Sequence, residues 1–258
     1  MDELRRKLDE LKTIGRGYAA PAAPPAAPAR LHDVVGGCEL CCEGVACWQI
    51  ETPLEDACAR HGFAIPERLA AFATAPASQS LGDIAPHAAV VIDIETGGFA
   101  GTEIFLVGLI PLERRPLCVI QWLARDYAEE AALLHALARL GPQRNTWVTF
   151  NGKSFDGPFL SDRAALHRVP LRLPENHFDL LHHARRRWKG ELPNCRLRTL
   201  EQQILGWKRI GDVDGWDIPD LFHHFLRTGN AAPLQPVLHH NQLDLISCTE
   251  LLLRMVGT

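Results

Sequence analysis

The stretch AAVVIDIETGG, residues 88–98, decides how the rest of the chain is read. Its first five residues are small or β-branched, the composition of a strand buried on both faces. Asp93 and Glu95 then interrupt the apolar run two positions apart. Alternate residues of a strand point to the same face, so the two carboxylates project together from the end of a core strand. Two ionised acids that close repel each other and are costly to desolvate. No Lys or Arg lies within several residues to offset them. Hard divalent cations such as Mg²⁺ or Mn²⁺ prefer oxygen ligands, and a metal is the simplest counter-charge.

Outward from this strand the pattern stays regular. HAAVVIDIET (87–96), EIFLVGLIPL (103–112) and PLCVIQWLA (116–124) predict three strands. Their short connections predict antiparallel neighbours. YAEEAALLHALARL (127–140) carries apolar residues at helical spacing and stops at Gly141-Pro142. NTWVTF (145–150) predicts a fourth strand, SFDGPFLSDRAALHRV (154–169) a helix and NHFDLL (176–181) a short fifth strand. RTLEQQIL (198–205), IPDLFHHFLRTG (218–229) and a closing segment near 234–256 predict further helices. This order is that of an α/β domain with a mixed sheet, expected over 86–258.

Residues 1–85 read differently. A helix is expected over 2–12, followed by an Ala/Pro-rich linker at 17–30. CELCCEGVACWQIET (38–52) suggests short strands and PERLAAFATA (66–75) a short helix. This extension is expected to offer a docking arm to a protein partner. Its CxxC at Cys38 and Cys41 has no second pair at finger-like spacing, so Cys42, Cys47 and Cys58 read as small buried apolar residues rather than as zinc ligands.

The bulk composition narrows the class. With 258 residues, 47% hydrophobic and 22% charged, the chain reads as an ordinary globular protein. No apolar run approaches the ~18–20 residues of a membrane span. The charged opening MDELRRKLDELK lacks a signal-peptide core, and a cytoplasmic location is expected. A net charge of −4 leaves nucleic acid open as a partner, because a local basic patch suffices.

More acids sit at telling positions. Asp156 ends FNGKSFD (150–156), after the fourth strand and at the opening of a helix. Asp244 ends LHHNQLD (238–244) on the closing helix. His240 lies one helical turn before it on the same face, whereas His239 lies about 140° away around the helix.

Taken together, DIETGG (93–98), FNGKSFD, HFDLLHHARRRW (177–188), LRTLEQQILG (197–206) and HNQLD (240–244) resemble the YprB-type RNase H-like domains of the DEDD 3′–5′ exonuclease superfamily, over roughly residues 86–256. The resemblance implies an RNase H-like mixed β-sheet flanked by helices. It also implies a nuclease that hydrolyses phosphodiester bonds from the 3′ ends of single-stranded or frayed DNA or RNA. Carried over by motif, Asp93, Glu95, Asp156 and Asp244 are the catalytic metal ligands for two divalent ions, Mg or Mn, about 4 Å apart. His240 is the favoured water-orienting residue, with His239 as the other candidate. Gly97 stands where relatives more often carry Thr. Gly97, Asn151, Lys153, Arg186 and Arg187 are the candidate substrate contacts, with Arg196, Arg198, Lys208 and Arg209 extending a basic patch, while Asp179 is expected in a structural place. Two other readings share the scaffold: a catalytically silent module that binds nucleic acid or a partner, and a structure-specific endonuclease.

Overall fold

The apolar run at 88–96 becomes an inner strand of a seven-stranded mixed sheet in the computed structural model. The structure describes residues 28–59, 65, 67–69, 88–113, 116–140, 144 and 146–256. The strands are β1 (Cys38–Cys42), β2 (Val45–Pro53), β3 (Ala89–Thr96), β4 (Ile104–Pro111), β5 (Cys118–Leu123), β6 (Thr146–Thr149) and β7 (Asn176–Asp179), in spatial order β1-β2-β5-β4-β3-β6-β7. β3, β4 and β5 pair antiparallel, as their short connections predict. β6 runs parallel to β3, and β7 parallel to β6. Parallel pairing needs crossover segments. The described helices are α1 (Leu31–Val35), α2 (Leu54–Ala59), α3 (Glu130–Ala138), α4 (Asp156–His167), α5 (Leu180–Trp188), α6 (Leu197–Leu200), α7 (Ile218–Thr228) and α8 (Leu234–Val256). α3 leads from β5 into β6, and α4 leads from β6 to β7.

The strands expected in 38–52 form a hairpin whose second strand pairs with β5. Glu43 and Gly44 make its turn with φ of 51° and 80°, the two positive angles of a type I′ turn. Without this hairpin β5 would be an open edge. The helix expected at 2–12 lies outside the described residues, as do most of the linker at 17–30 and most of the segment 66–75. The fifth predicted strand stops at Asp179, because that carboxylate accepts from the Leu181 N–H and starts α5. No described helix is long and apolar enough to cross a membrane.

Both faces of the sheet are covered. On one face Val90, Ile92 and Ile94 pack with Trp147, Leu133 and Leu137 of α3, Phe159 of α4 and Phe222 of α7. Phe222 stacks on Phe105 of β4 with ring centroids 4.0 Å apart. On the other face Ala89 and Val91 pack with Leu180, Leu200 and the α8 residues Leu245, Ile246 and Leu252. Asp93 and Glu95 continue the Val91 series, so they emerge on the α8 side of the sheet.

A missing side chain lets α8 come close. Gly108 of β4 lies opposite Asp93 in register. A Cβ at position 108 would stand 2.1 Å from Asn241 Oδ1. Asn241 is buried, and it is fixed from both ends. Gln121 Nε2 donates to its Oδ1 and to the Leu238 carbonyl, both at 2.8 Å, while its own Nδ2 donates to Asp93 Oδ2 at 2.8 Å. Gly108→Val is therefore expected to lower unfolding free energy by about 1–3 kcal/mol through overpacking. Denaturant melts of both proteins check this, and an unchanged midpoint would contradict the close approach.

Candidate active site

Three elements deliver the four acids. Asp93 and Glu95 stand half-buried at the end of β3, just before a register shift between Glu95 and Thr96. Asp156 opens α4 and is 4% exposed. Asp244 projects from α8. The structure brings them into one cluster: the charges of Asp244, Glu95 and Asp156 all act on Asp93. The loop before Asp156 is held from below by Asp179, whose two carboxylate oxygens accept from the Asn151 N–H (2.9 Å) and the Lys153 N–H (3.1 Å). Asn151 there takes a left-handed conformation with φ of 65°. Asp179 thus takes the structural place expected for it.

Crowding shows in the acid strengths. Burial, then the neighbouring charge of Asp244, pushes Asp93 well above the usual carboxylate range, with the Asn241 bond opposing. Burial pushes Glu95 up to about 8, with His240 opposing. Asp156 rises to about 7, again mainly by burial, partly offset by backbone hydrogen bonds from Asp156 itself and Ile94. As a donor set, hard carboxylate oxygens with unrelieved repulsion fit divalent ions such as Mg²⁺ or Mn²⁺. Among the described residues, however, no three His, Cys, Asp or Glu side chains already encircle one point. One oxygen of Asp93 is engaged by Asn241, and one oxygen of Asp244 by Arg209.

The two histidines part company. Nδ1 of His240 lies 2.8 Å from Asp212 Oδ1, and its Nε2 lies 3.6 Å from Asp244 Oδ2. His239 instead lines a separate hollow with Val34, Val35, Ile50 and Gln242. Burial opposes charge on His240, but the bond to Asp212 and the charges of Asp244 and Glu95 outweigh it and raise its pKa. Asp212 is itself held down at about 2: burial opposes ionisation, and the His240 bond and Arg209 overcome it. Sequence reasoning missed Asp212, Asn241, Gln121 and Glu201. Asn241 and Glu201 carried a usable signal, from their places inside HNQLD and LRTLEQQILG. Arg209 does not extend the surface patch; its side chain is 6% exposed and lies among Glu201, Asp212 and Asp244.

Two hollows flank the acids. A cleft of ≈ 640 Å³ runs along Glu95, Gly97 and Gly98, with Phe99, Phe155 and Trp216 at its sides. Phe99 and Trp216 are 85% and 86% exposed. Position 97 is glycine beside a filled space, since a Cβ there would meet Glu103 Oε1 at 2.2 Å. The second hollow, ≈ 430 Å³, is lined by Lys153, His182, His183, Arg185 and Arg186 over Asp179. Arg187 points elsewhere, over the Trp188 ring at 5.5 Å. The N-terminal cysteines stay apart from both hollows: Cys38 and Cys41 are exposed, Cys42, Cys47 and Cys58 are buried, and burial pushes the Cys47 and Cys58 thiols up to about 12.

A mixed sheet carrying acids at the end of an inner strand and on a closing helix defines a class, and the chain belongs to it: the family model of the RNase_H superfamily matches residues 90–256. Within that class this is a YprB-type RNase H-like protein. It is similar to the uncharacterized protein YprB of Bacillus subtilis (strain 168), 39% identical over 168 residues that make up 63% of this chain and 40% of YprB. The fold is therefore of nuclease type.

The raised acids fix a pH dependence for the chelated protein. The unfolded chain releases these protons near pH 4, whereas the folded chain keeps them on Glu95 and Asp156 until about pH 8 and about pH 7. Between those limits the folded state binds more protons, so stability falls as pH rises. Raised His240 adds to the same slope. In EDTA the Tm is expected to fall from pH 5 to pH 8, and less steeply in Asp93→Asn. A Tm that is flat or rising over that range would contradict the crowding.

Proposed function

We propose that the chain is a metal-dependent nuclease that removes nucleotides from the 3′ ends of single-stranded or frayed nucleic acid. The observation that carries this reading is the convergence of Asp93, Glu95, Asp156 and Asp244 beside a cleft with aromatic walls. Polarity comes from the resemblance to the DEDD exonucleases. Asp93, Glu95, Asp156 and Asp244 would hold two divalent ions, which would supply Lewis acidity toward the phosphodiester and activate the attacking water.

The remaining chemistry falls to the chain's own side chains. Asn241 keeps one oxygen of Asp93 oriented. Asp212, ionised at neutral pH, can only accept a hydrogen bond, so Nδ1 of His240 carries the proton it donates. Nε2 then faces the acid cluster and is the atom that takes a proton from water. Phe99, Phe155 and Trp216 offer faces on which a terminal base stacks, each worth about 1–3 kcal/mol. Lys153, Arg185 and Arg186 give the strand behind it a basic track. Gly97 lines the cleft, and its missing side chain leaves room for the Glu103 carboxylate beside it.

One observation favours a second reading, a silent binding module on the same fold: two of the four acids are already engaged, Asp93 by Asn241 and Asp244 by Arg209. One assay separates the two. End-labelled oligonucleotides with Mn²⁺ are expected to shorten from the 3′ end, circles are expected to survive, and Asp93→Asn and Asp244→Asn are expected to fall to background. Wild-type protein that binds the strand and never cleaves it selects the silent module, and cut circles select an endonuclease.

Binding itself is expected to be divisible. Trp216→Ala should weaken single-strand binding about tenfold without changing its salt dependence, the loss of one stacked base. Lys153→Ala and Arg186→Ala should each reduce the log–log salt slope by about 0.7. Fluorescence anisotropy at several salt concentrations measures both, and equal slopes in all variants would remove the basic hollow from the path.

A further inference from the structure

Arg209 touches three carboxylates at once. Its Nε donates to both oxygens of Glu201, at 3.0 and 2.9 Å, its Nη1 donates to Asp212 Oδ2 at 3.1 Å, and its Nη2 donates to Asp244 Oδ1. Two of these anchors lie outside the four-acid cluster and are braced independently. Glu201 is buried and accepts from Ser247 Oγ at 2.6 Å, three residues beyond Asp244 on α8. Asp212 also accepts from Arg198 Nη2 at 3.2 Å. The backbone is shaped to deliver the guanidinium there. α6 widens into a π turn over Glu201–Leu205, and Gly206 then turns the chain with φ of 79°. The result is a closed ring of side chains, Asp244–Arg209–Glu201–Ser247, that begins and ends on one face of α8.

We propose that Arg209 is a positioning residue for the metal chemistry: it clamps Oδ1 of Asp244 and leaves Oδ2, the oxygen nearer His240, as the one this carboxylate offers an ion. This rests on reading Asp244 as a metal ligand. A planar guanidinium fork can bridge Glu201, Asp212 and Asp244 together, and a lysine ammonium at the same place cannot. Glu201 and Asp212 hold Arg209 whatever happens at the metals. It is therefore a fixed part of the site rather than a plug that an arriving ion displaces. The competing idea is that Arg209 serves only as positive charge, in which case it repels dications and its loss would tighten their binding.

The test is a Mn²⁺ titration of the full chain by isothermal calorimetry, with folding followed by circular dichroism and thermal melts in EDTA. Arg209→Lys keeps the charge and loses the fork. It is expected to bind Mn²⁺ about 10–100-fold more weakly, the usual range for residues that orient a ligand. Because Arg209 acts through Asp244, adding Arg209→Lys to Asp244→Asn is expected to cost little further affinity. If Arg209→Lys does not fold, Ser247→Ala serves instead, since it removes only the brace on Glu201 and is expected to weaken binding several-fold with the helical signal intact. Unchanged or tighter Mn²⁺ binding in folded Arg209→Lys or Ser247→Ala, or full additivity in the double variant, overturns the proposal. Wild-type protein that takes up no Mn²⁺ overturns the metal reading itself, and the proposal with it.

Discussion

Repulsion among carboxylates where β3 ends governs the architecture around it. Asp93 and Glu95 leave the strand on the α8 face because side chains alternate, and Asp156 arrives from the neighbouring parallel strand through the opening of α4. Each acid is partly or wholly withdrawn from water, and the charges of Asp244, Glu95 and Asp156 make Asp93 harder to ionise. A fold driven by stability alone would place apolar residues there. The surrounding polar groups are best understood as what makes the arrangement tolerable: Asn241 beneath Asp93, backbone hydrogen bonds at Asp156, and Arg209 beside Asp244.

α8 does two jobs with one surface. Leu245, Ile246 and Leu252 bury the sheet, while His240, Asn241 and Asp244, a turn earlier, supply the site. The seating of Asn241 over Gly108 connects the jobs, because one contact fixes both the depth of the helix and the orientation of Asp93. Gln121 extends that connection to β5. Position in the site is thus inherited from core packing, which is far more rigid than a loop.

Much of this was legible in the sequence, and the boundary of legibility has a physical basis. The Val/Ile run, the alternation through Asp93 and Glu95, and the apolar periodicity at 127–140 and 234–256 are local signals, and strands and helices follow them closely. The hairpin at 38–53 was harder. Its strands are half-exposed and its place in the sheet depends on pairing with β5, some seventy residues away. Arg209 was misread as a surface charge, because lysines and arginines usually are, and its burial depends on acids from two other segments. Asp212 had no pattern at all; only folding brings it to His240. Between the two histidines the spacing already favours His240, and the structure adds that its Nε2 lies 3.6 Å from Asp244 Oδ2 while His239 lines a separate hollow.

If the cluster exists to hold dications, their position is directly measurable. Crystals grown with Mn²⁺ and a mononucleotide, with data collected at the manganese edge, give the ions by anomalous scattering. Peaks are expected among Asp93, Glu95, Asp156 and Asp244, with the nucleotide phosphate against them. Ordered nucleotide or protein with no manganese at that place, or manganese held by other residues, would contradict the account.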